Sequence, residues 1–311
     1  MNLSHALVCQ GLIKRYGSLT AVDHLDLEIP VGRCYGLLGP NGAGKTTTIE
    51  MLEGITVPDG GEIQVLGHSW RDKPDAIRQK LGIQLQETQF QGKLRVQEVL
   101  AMYGSFYHCH KSVEDLLRII SLVEKRNSFV ENLSGGQKQR LALGCALAGD
   151  PDILFLDEPT TGLDPQARRQ IWELVLAHKA EGKTVVITTH YMDEAQQLCD
   201  EIGIMDQGKL IAQGSPAQLI ASLGGDHIIE WQVEEPIDLR ESEMLAIKSA
   251  VTFRQKSATE YVLTVQQLHH ALPELMLDLE RRSAALQALS THQASLEDVF
   301  LNLTGRSLRE P

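Results

Sequence analysis

With 311 residues the chain has room for one large domain plus a small one, or for two of middling size. Apolar residues make up 42% and charged residues 23%, the balance of an ordinary globular protein, and no window approaches the roughly 20 consecutive apolar residues of a membrane span. A net charge of −12 argues against a general nucleic-acid binder, whose affinity rests on Lys and Arg, and five scattered cysteines without CxxC spacing fit reduced thiols.

In chain order, Ala6 to Ile29 alternates apolar and polar residues in short runs, as half-buried antiparallel strands do. Arg33 to Leu38 reads as a buried strand entering a glycine-rich turn, and Thr46 to Gly54 has helical spacing with a glycine stop. Glu62 to Leu66 alternates again. From about Glu87 to Gly149 the pattern is helical throughout, including Val113 to Val123 and Gly135 to Ala148. Two apolar strands follow, Ile153 to Leu156 and Thr184 to Thr188, separated by a helix from Pro165 to Lys179. Ile202 to Met205 and Lys209 to Gln213 bracket Gln207 and Gly208 as a hairpin. This order implies a mostly parallel sheet with helices on its faces, interrupted by a helical subdomain.

Beyond Gly214, Ser215 and Pro216, and again at Gly224 and Gly225, the chain is punctuated. Strand His227 to Val233, helix Leu239 to Ser249, strands Val251 to Gln255 and Glu260 to Val265, helix Leu268 to Ala284 and strand Leu286 to Thr291 follow. That β-α-β-β-α-β order is ferredoxin-like. Leu296, Val299, Phe300 and Leu303 then make one helical stripe behind a capping box of Ser295 and Asp298. The expected domains are 1–222, with the helical subdomain at about 87–150, and 225–311.

Gly39, Pro40, Asn41, Gly42, Ala43, Gly44, Lys45 and Thr46 fit the phosphate-binding loop, placed between a strand and a helix as that motif requires. Glycines let backbone N–H groups turn inward around a phosphate, and the helix start adds positive potential. Lys45 would reach the β- and γ-phosphates of ATP, the Thr46 hydroxyl would ligate Mg²⁺, and Thr47 follows in the same helical turn. Ile153 to Leu156 is an apolar strand ending in Asp157 and Glu158. A buried strand ends in two acids where something cationic or protic needs them. Asp157 is placed for Mg²⁺, and Glu158 as general base for the attacking water. His108, Cys109 and His110 are adjacent and lack further ligands, so they do not read as a metal site.

Leu133, Ser134, Gly135, Gly136 and Gln137, just ahead of the Asp152 to Glu158 strand, resemble the signature of ABC ATPases. The resemblance covers roughly residues 5 to 222. It implies a P-loop NTPase (RecA-like) α/β core with an antiparallel β subdomain and a helical signature subdomain, followed here by a small α+β, ferredoxin-like C-terminal domain. It further implies that Ser134 to Gln137 meet the γ-phosphate of ATP bound to a second copy of the chain. Tyr16 is similar to the aromatic that stacks on adenine, and Asp164, in Thr161 to Asp164, to the loop that crosses the dimer interface. Gln86 is similar to the glutamine that touches Mg²⁺ and water, with Gln84 an open alternative two residues away. His190 resembles the switch histidine beside Glu158. The wording of Ser295 to Gly305, and of Met192 to Asp200, is similar to subunits serving drug, antibiotic and polysaccharide exporters.

The resemblance thus implies an ATP-hydrolysing subunit of an ABC exporter, with ATP and Mg²⁺ as cofactors and integral membrane permease subunits plus a second copy as partners. With no secretory signal and no span of its own, the chain is expected on the cytoplasmic face of the membrane, held there by the permease. An import subunit is the alternative. A non-transport ABC ATPase fits less well, because the chain has one cassette, no heptad array and no zinc spacing.

Overall fold

The computed structural model describes residues 4–85 and 88–305. Its chain divides into two compact units, the first running to Ser215 and the second starting at Pro216.

The first unit opens with two long strands, β1 (His5–Tyr16) and β2 (Leu19–Pro30), which pair antiparallel. Then come β3 (Cys34–Leu38), α1 (Lys45–Leu52), β4 (Gly60–Val65), β5 (His68–Ser69), α2 (Pro74–Arg78) and β6 (Leu81–Gln84). The helical insertion carries α3 (Val96–Gly104), α4 (Val113–Ile119) and α5 (Gly135–Ala146). After it run β7 (Ile153–Asp157), α6 (Pro165–Ala180), β8 (Thr184–Thr188), α7 (Met192–Leu198), β9 (Glu201–Asp206) and β10 (Lys209–Gly214). One sheet is antiparallel in the order β2-β1-β4-β5. The other has six strands in the order β10-β9-β3-β8-β7-β6, parallel except for β10.

Every residue of β3, β7 and β8 is buried, as strands covered on both faces require. Gln207 and Gly208 both take positive φ, closing β9 and β10 as the sequence leads one to expect. The 87–150 segment is not helical throughout. Single 3₁₀ turns at Val123–Lys125 and Val130–Asn132 break it, and α4 stops at Ile119, short of Val123, where Ser121 takes a left-handed φ of 53°. Sequence periodicity also passes over β5, α2 and β6, which are too short to show a period. Gly82 in β6 is required by packing, since a Cβ there would stand 2.2 Å from the Ala146 carbonyl oxygen.

His178, in the last turn of α6, lies buried near Lys183, Lys111, Asp150 and Asp152. Burial, aided by the two lysines, pushes its imidazole down to about 4 from 6.5. Between those values the unfolded chain binds the extra proton, so this residue's share of stability is complete above pH 6.5 and is lost as pH falls toward 4. His178→Leu should flatten that limb. The drop in unfolding free energy from pH 7 to pH 5, read from urea melts, should shrink by about 2 kcal/mol. Superimposable pH profiles for the two proteins would contradict this.

The second unit contains α8 (Pro216–Ala221), β11 (His227–Val233), α9 (Glu241–Met244), β12 (Ala250–Gln255), β13 (Glu260–Val265), α10 (Leu268–Arg281), β14 (Leu286–Gln293) and α11 (Leu296–Thr304). Its sheet is antiparallel throughout, in the order β12-β13-β11-β14. Ile229, Trp231, Leu263 and Val265 face Leu275 and Leu279 of α10 in a core of their own. The boundary falls ahead of the expected 222–225 because α8 packs on α11 and belongs with it. Helix α9 is one turn, not the expected Leu239 to Ser249: past Met244 the backbone bonds tighten to three-residue spacing, the Ala246 N–H reaching the Glu243 carbonyl and the Ile247 N–H the Met244 carbonyl, and Ser249 then turns left-handed at φ 67°.

Candidate functional site

Strands β3, β8 and β7 are neighbours in the parallel sheet, so the loops at their carboxyl ends lie side by side. Those loops carry Gly39 to Thr46, His190, and Glu158. The first wraps from β3 into α1. Gly39 admits no side chain, since a Cβ would sit 2.4 Å from the Met205 carbonyl oxygen, and Gly44 combines φ 99° with a Cβ position 2.3 Å from the Ala21 carbonyl oxygen. The loop between them holds Asn41 and Gly42 exposed, with Pro40 half-buried, while Ala43 is buried and donates its N–H to the Pro40 carbonyl at 3.1 Å. Lys45 is buried within this turn, its Nζ donating to the Gly39 carbonyl at 2.8 Å and the Pro40 carbonyl at 3.1 Å. Burial pulls the ammonium down, while Glu158 and Asp157 pull it up. Thr46 is exposed in the first turn of α1, and Thr47 half-exposed beside it.

At the end of β7, Asp157 is buried and accepts a short hydrogen bond from the Thr188 hydroxyl of β8. Desolvation is the largest influence on its carboxyl and raises it, with Glu158 adding to the rise. Glu158 adopts φ 46°, and its N–H is fixed by the Thr188 carbonyl and hydroxyl, each at 3.1 Å. That strained turn aims its carboxylate at His190, whose Nδ1 lies 3.4 Å from Oε2, and Thr161 donates to the same oxygen at 3.1 Å. The histidine contact, first among the causes, holds Glu158 below its usual range and therefore ionised at neutral pH. Thr188, which braces both acids, gave no signal in the sequence beyond a strand ending in threonines.

The structure thus brings Lys45, Asp157, Glu158 and His190 together. Asp157 and Thr46 fit a magnesium ion in the oxygen-ligand sense: a desolvated carboxylate and an exposed hydroxyl, with phosphate and water left to complete six oxygens. Tyr16 is half-exposed at the β1–β2 turn, with the Lys14 ammonium 5.5 Å from its ring centre. Ser134 and Gly135 are exposed at the start of α5. Ser134 Oγ accepts from the Gln137 N–H at 3.3 Å and Gln137 Oε1 from the Ser134 N–H at 3.0 Å. Gly136 lies against Ala167 in the first turn of α6. No hydrogen bond among the described residues joins this turn to Gly39–Thr46. Asp164 caps α6, its Oδ1 accepting from the N–H groups of Gln166 and Ala167 at 2.9 Å. Gln86 lies outside the described residues. Gln84 ends β6 fully buried, with neither amide atom hydrogen-bonded.

The family model described as ABC transporter matches residues 22–161. Along nearly its whole length the chain is 40% identical to Nod factor export ATP-binding protein I of Paraburkholderia xenovorans, over 302 residues covering 96% of each chain. The chain belongs to the ABC transporter family of ATP-binding subunits. It is an ATP-hydrolysing enzyme of that family. This ABC subunit is also 37% identical to the daunorubicin/doxorubicin resistance ATP-binding protein DrrA of Streptomyces peucetius, over 97% of this chain and 93% of the other. It is equally similar, at 37%, to the linearmycin resistance ATP-binding protein LnrL of Bacillus subtilis, covering 98% of this chain and all of that one. Among solved structures, an ATP-binding subunit of an ABC transporter matches 70% of the ABC subunit and 93% of itself, with 28% identity and a TM-score of 0.65. A bacterial ABC transporter cassette solved as a dimer matches 67% and 98%, with 26% identity and a TM-score of 0.61.

Proposed function

We propose that this ABC subunit powers an exporter by closing with a second copy over two ATP molecules and hydrolysing them against a separate membrane permease. The observation that carries the reading is the pair of half-sites on one chain: a phosphate loop with its acids and histidine, and an exposed, capped Ser134–Gly135 helix start with no phosphate loop joined to it. Bare N–H groups and a helix dipole suit an anion brought by another molecule. In this reading Mg²⁺ is held by Thr46, Asp157 and Gln86, Tyr16 stacks on adenine, and Glu158 with His190 handles the attacking water. Asp164 acts by setting the loop that crosses between copies. The full-length similarity to proteins named for export and resistance, across both units, favours export over import.

Every phosphate, metal and base candidate lies before Asp200, so the unit from Pro216 onward is the part left for tuning or partner contact. No helix among the described residues is long and apolar enough to cross a membrane, so attachment requires a partner. Fractionation tests this. Expressed with a permease of about six apolar spans, the chain should pellet with membranes and crosslink to that protein. Without the permease it should stay in the supernatant, and stable membrane binding there would overturn the reading.

A further inference from the structure

We propose that Glu194 is a positioning residue for ATP hydrolysis, the buried acid that holds the loop carrying Glu158 and the turn carrying His190 in register. The inference rests on the assignment of Glu158 and His190 above.

Glu194 lies in the first turn of α7, four residues after His190, and is fully buried. Its Oε1 accepts two hydrogen bonds, from the Thr160 hydroxyl and the Trp172 indole N–H, each at 2.9 Å. Thr160, itself fully buried, is two residues past Glu158, and Trp172 stands on α6, which that same loop enters. One carboxylate oxygen therefore fastens three segments: the turn after β8, the loop after β7, and α6. Burial pushes this carboxyl up, and the side chains of Thr189, Trp172 and Thr160 pull it back. Burying an acid carries a desolvation cost that an apolar residue would avoid, so the site calls for what the acid does there.

The outer side of the same turn is fastened separately. The Arg168 guanidinium lies 4.1 Å from the Tyr191 ring centre and pairs with Asp193 at 3.4 Å, while Thr189 Oγ1 accepts from the Tyr191 N–H at 3.0 Å. Held from both sides, His190 has little freedom to leave Glu158. Their ion pair spans 3.4 Å, and catalytic geometry of this kind is sensitive to displacements of about 1 Å, which cost on the order of a hundredfold.

The experiment is steady-state ATP hydrolysis by the full chain carrying Glu194→Ala, Glu194→Gln, Thr160→Val or Trp172→Phe, beside His190→Ala and Glu158→Gln. Glu194→Ala should lower kcat about thirtyfold with KM for ATP within about twofold, the pattern of lost transition-state geometry. Glu194→Gln keeps an oxygen acceptor of the same reach and should recover at least about a third of the rate, while Thr160→Val and Trp172→Phe should each lower kcat about fivefold at unchanged KM. A wild-type rate in Glu194→Ala, or a matched loss of kcat and ATP binding, would overturn the inference. Should Glu194→Ala fail to fold, wild-type rates in both single-bond variants would overturn it equally. Those results with His190→Ala and Glu158→Gln inactive sink the positioning role alone. Turnover retained in His190→Ala and Glu158→Gln overturns the underlying assignment and the positioning role with it.

Discussion

Lys45→Ala should abolish measurable ATP hydrolysis and weaken nucleotide binding. The ammonium is held by two loop carbonyls and is drawn toward charge by Glu158 and Asp157. Removing it deletes the cation that would meet the β- and γ-phosphates and leaves two acids facing a triphosphate. Loss of one charge-stabilising donor costs about a hundred- to a thousandfold in rate, and the uncompensated acids add to that. Charge-assisted hydrogen bonds of this kind carry about 1.5–3 kcal/mol, so ATP affinity should fall roughly ten- to a hundredfold. Phosphate release and titration with a fluorescent nucleotide measure the two effects. A variant that turns over normally would remove the phosphate loop from the account.

Glu158→Gln should bind ATP as the parent does while its turnover falls roughly a hundred- to ten-thousandfold. The amide is isosteric and still accepts from Thr161, and the bonds that set the φ 46° turn come from the backbone N–H, which the change leaves alone. Only basicity is lost. The parent carboxylate, held low by His190, is already ionised at neutral pH, so raising pH from 7 to 8 should not rescue the variant. Single-turnover hydrolysis at both pH values reads this directly, and a rate within tenfold of the parent would assign the base elsewhere.

What the sequence reveals depends on how local each feature is. Gly39 to Thr46 is eight consecutive residues between a buried strand and a helix, and Gly42 and Gly44 meet a local demand for positive φ, although the close approaches at Gly39 and Gly44 are to Met205 and Ala21, far away in sequence. Ile153 to Glu158 is legible for the same reason, as an apolar run that ends abruptly in two acids. The β9–β10 hairpin follows from Gln207 and Gly208 between the adjoining runs Ile202 to Met205 and Lys209 to Gln213. Short elements escape: β6 has four residues, and its register against β7 is fixed by pairing across about seventy residues of chain. Leu239 to Ser249 has helical spacing, yet α9 keeps only one turn, because its bonds tighten to three-residue spacing past Met244. The cluster of Glu194, Thr160 and Trp172 leaves no local pattern, since Thr160 and Trp172 stand 34 and 22 residues from Glu194 and meet it only once α6 and α7 have packed. Of the stripe Leu296, Val299, Phe300 and Leu303, the first three are buried, whereas Leu303, in the last turn of α11, is exposed; the helix that packs on α11, α8, lies some eighty residues earlier.

Light scattering on a sizing column, with and without Mg-ATP, gives the mass of the Glu158→Gln protein in solution. The account predicts a monomer that becomes a dimer only when Mg-ATP is present, with two nucleotides retained per dimer, because Ser134 and Gly135 have a phosphate to meet only on a second chain. A monomer at high protein concentration in saturating Mg-ATP would contradict it.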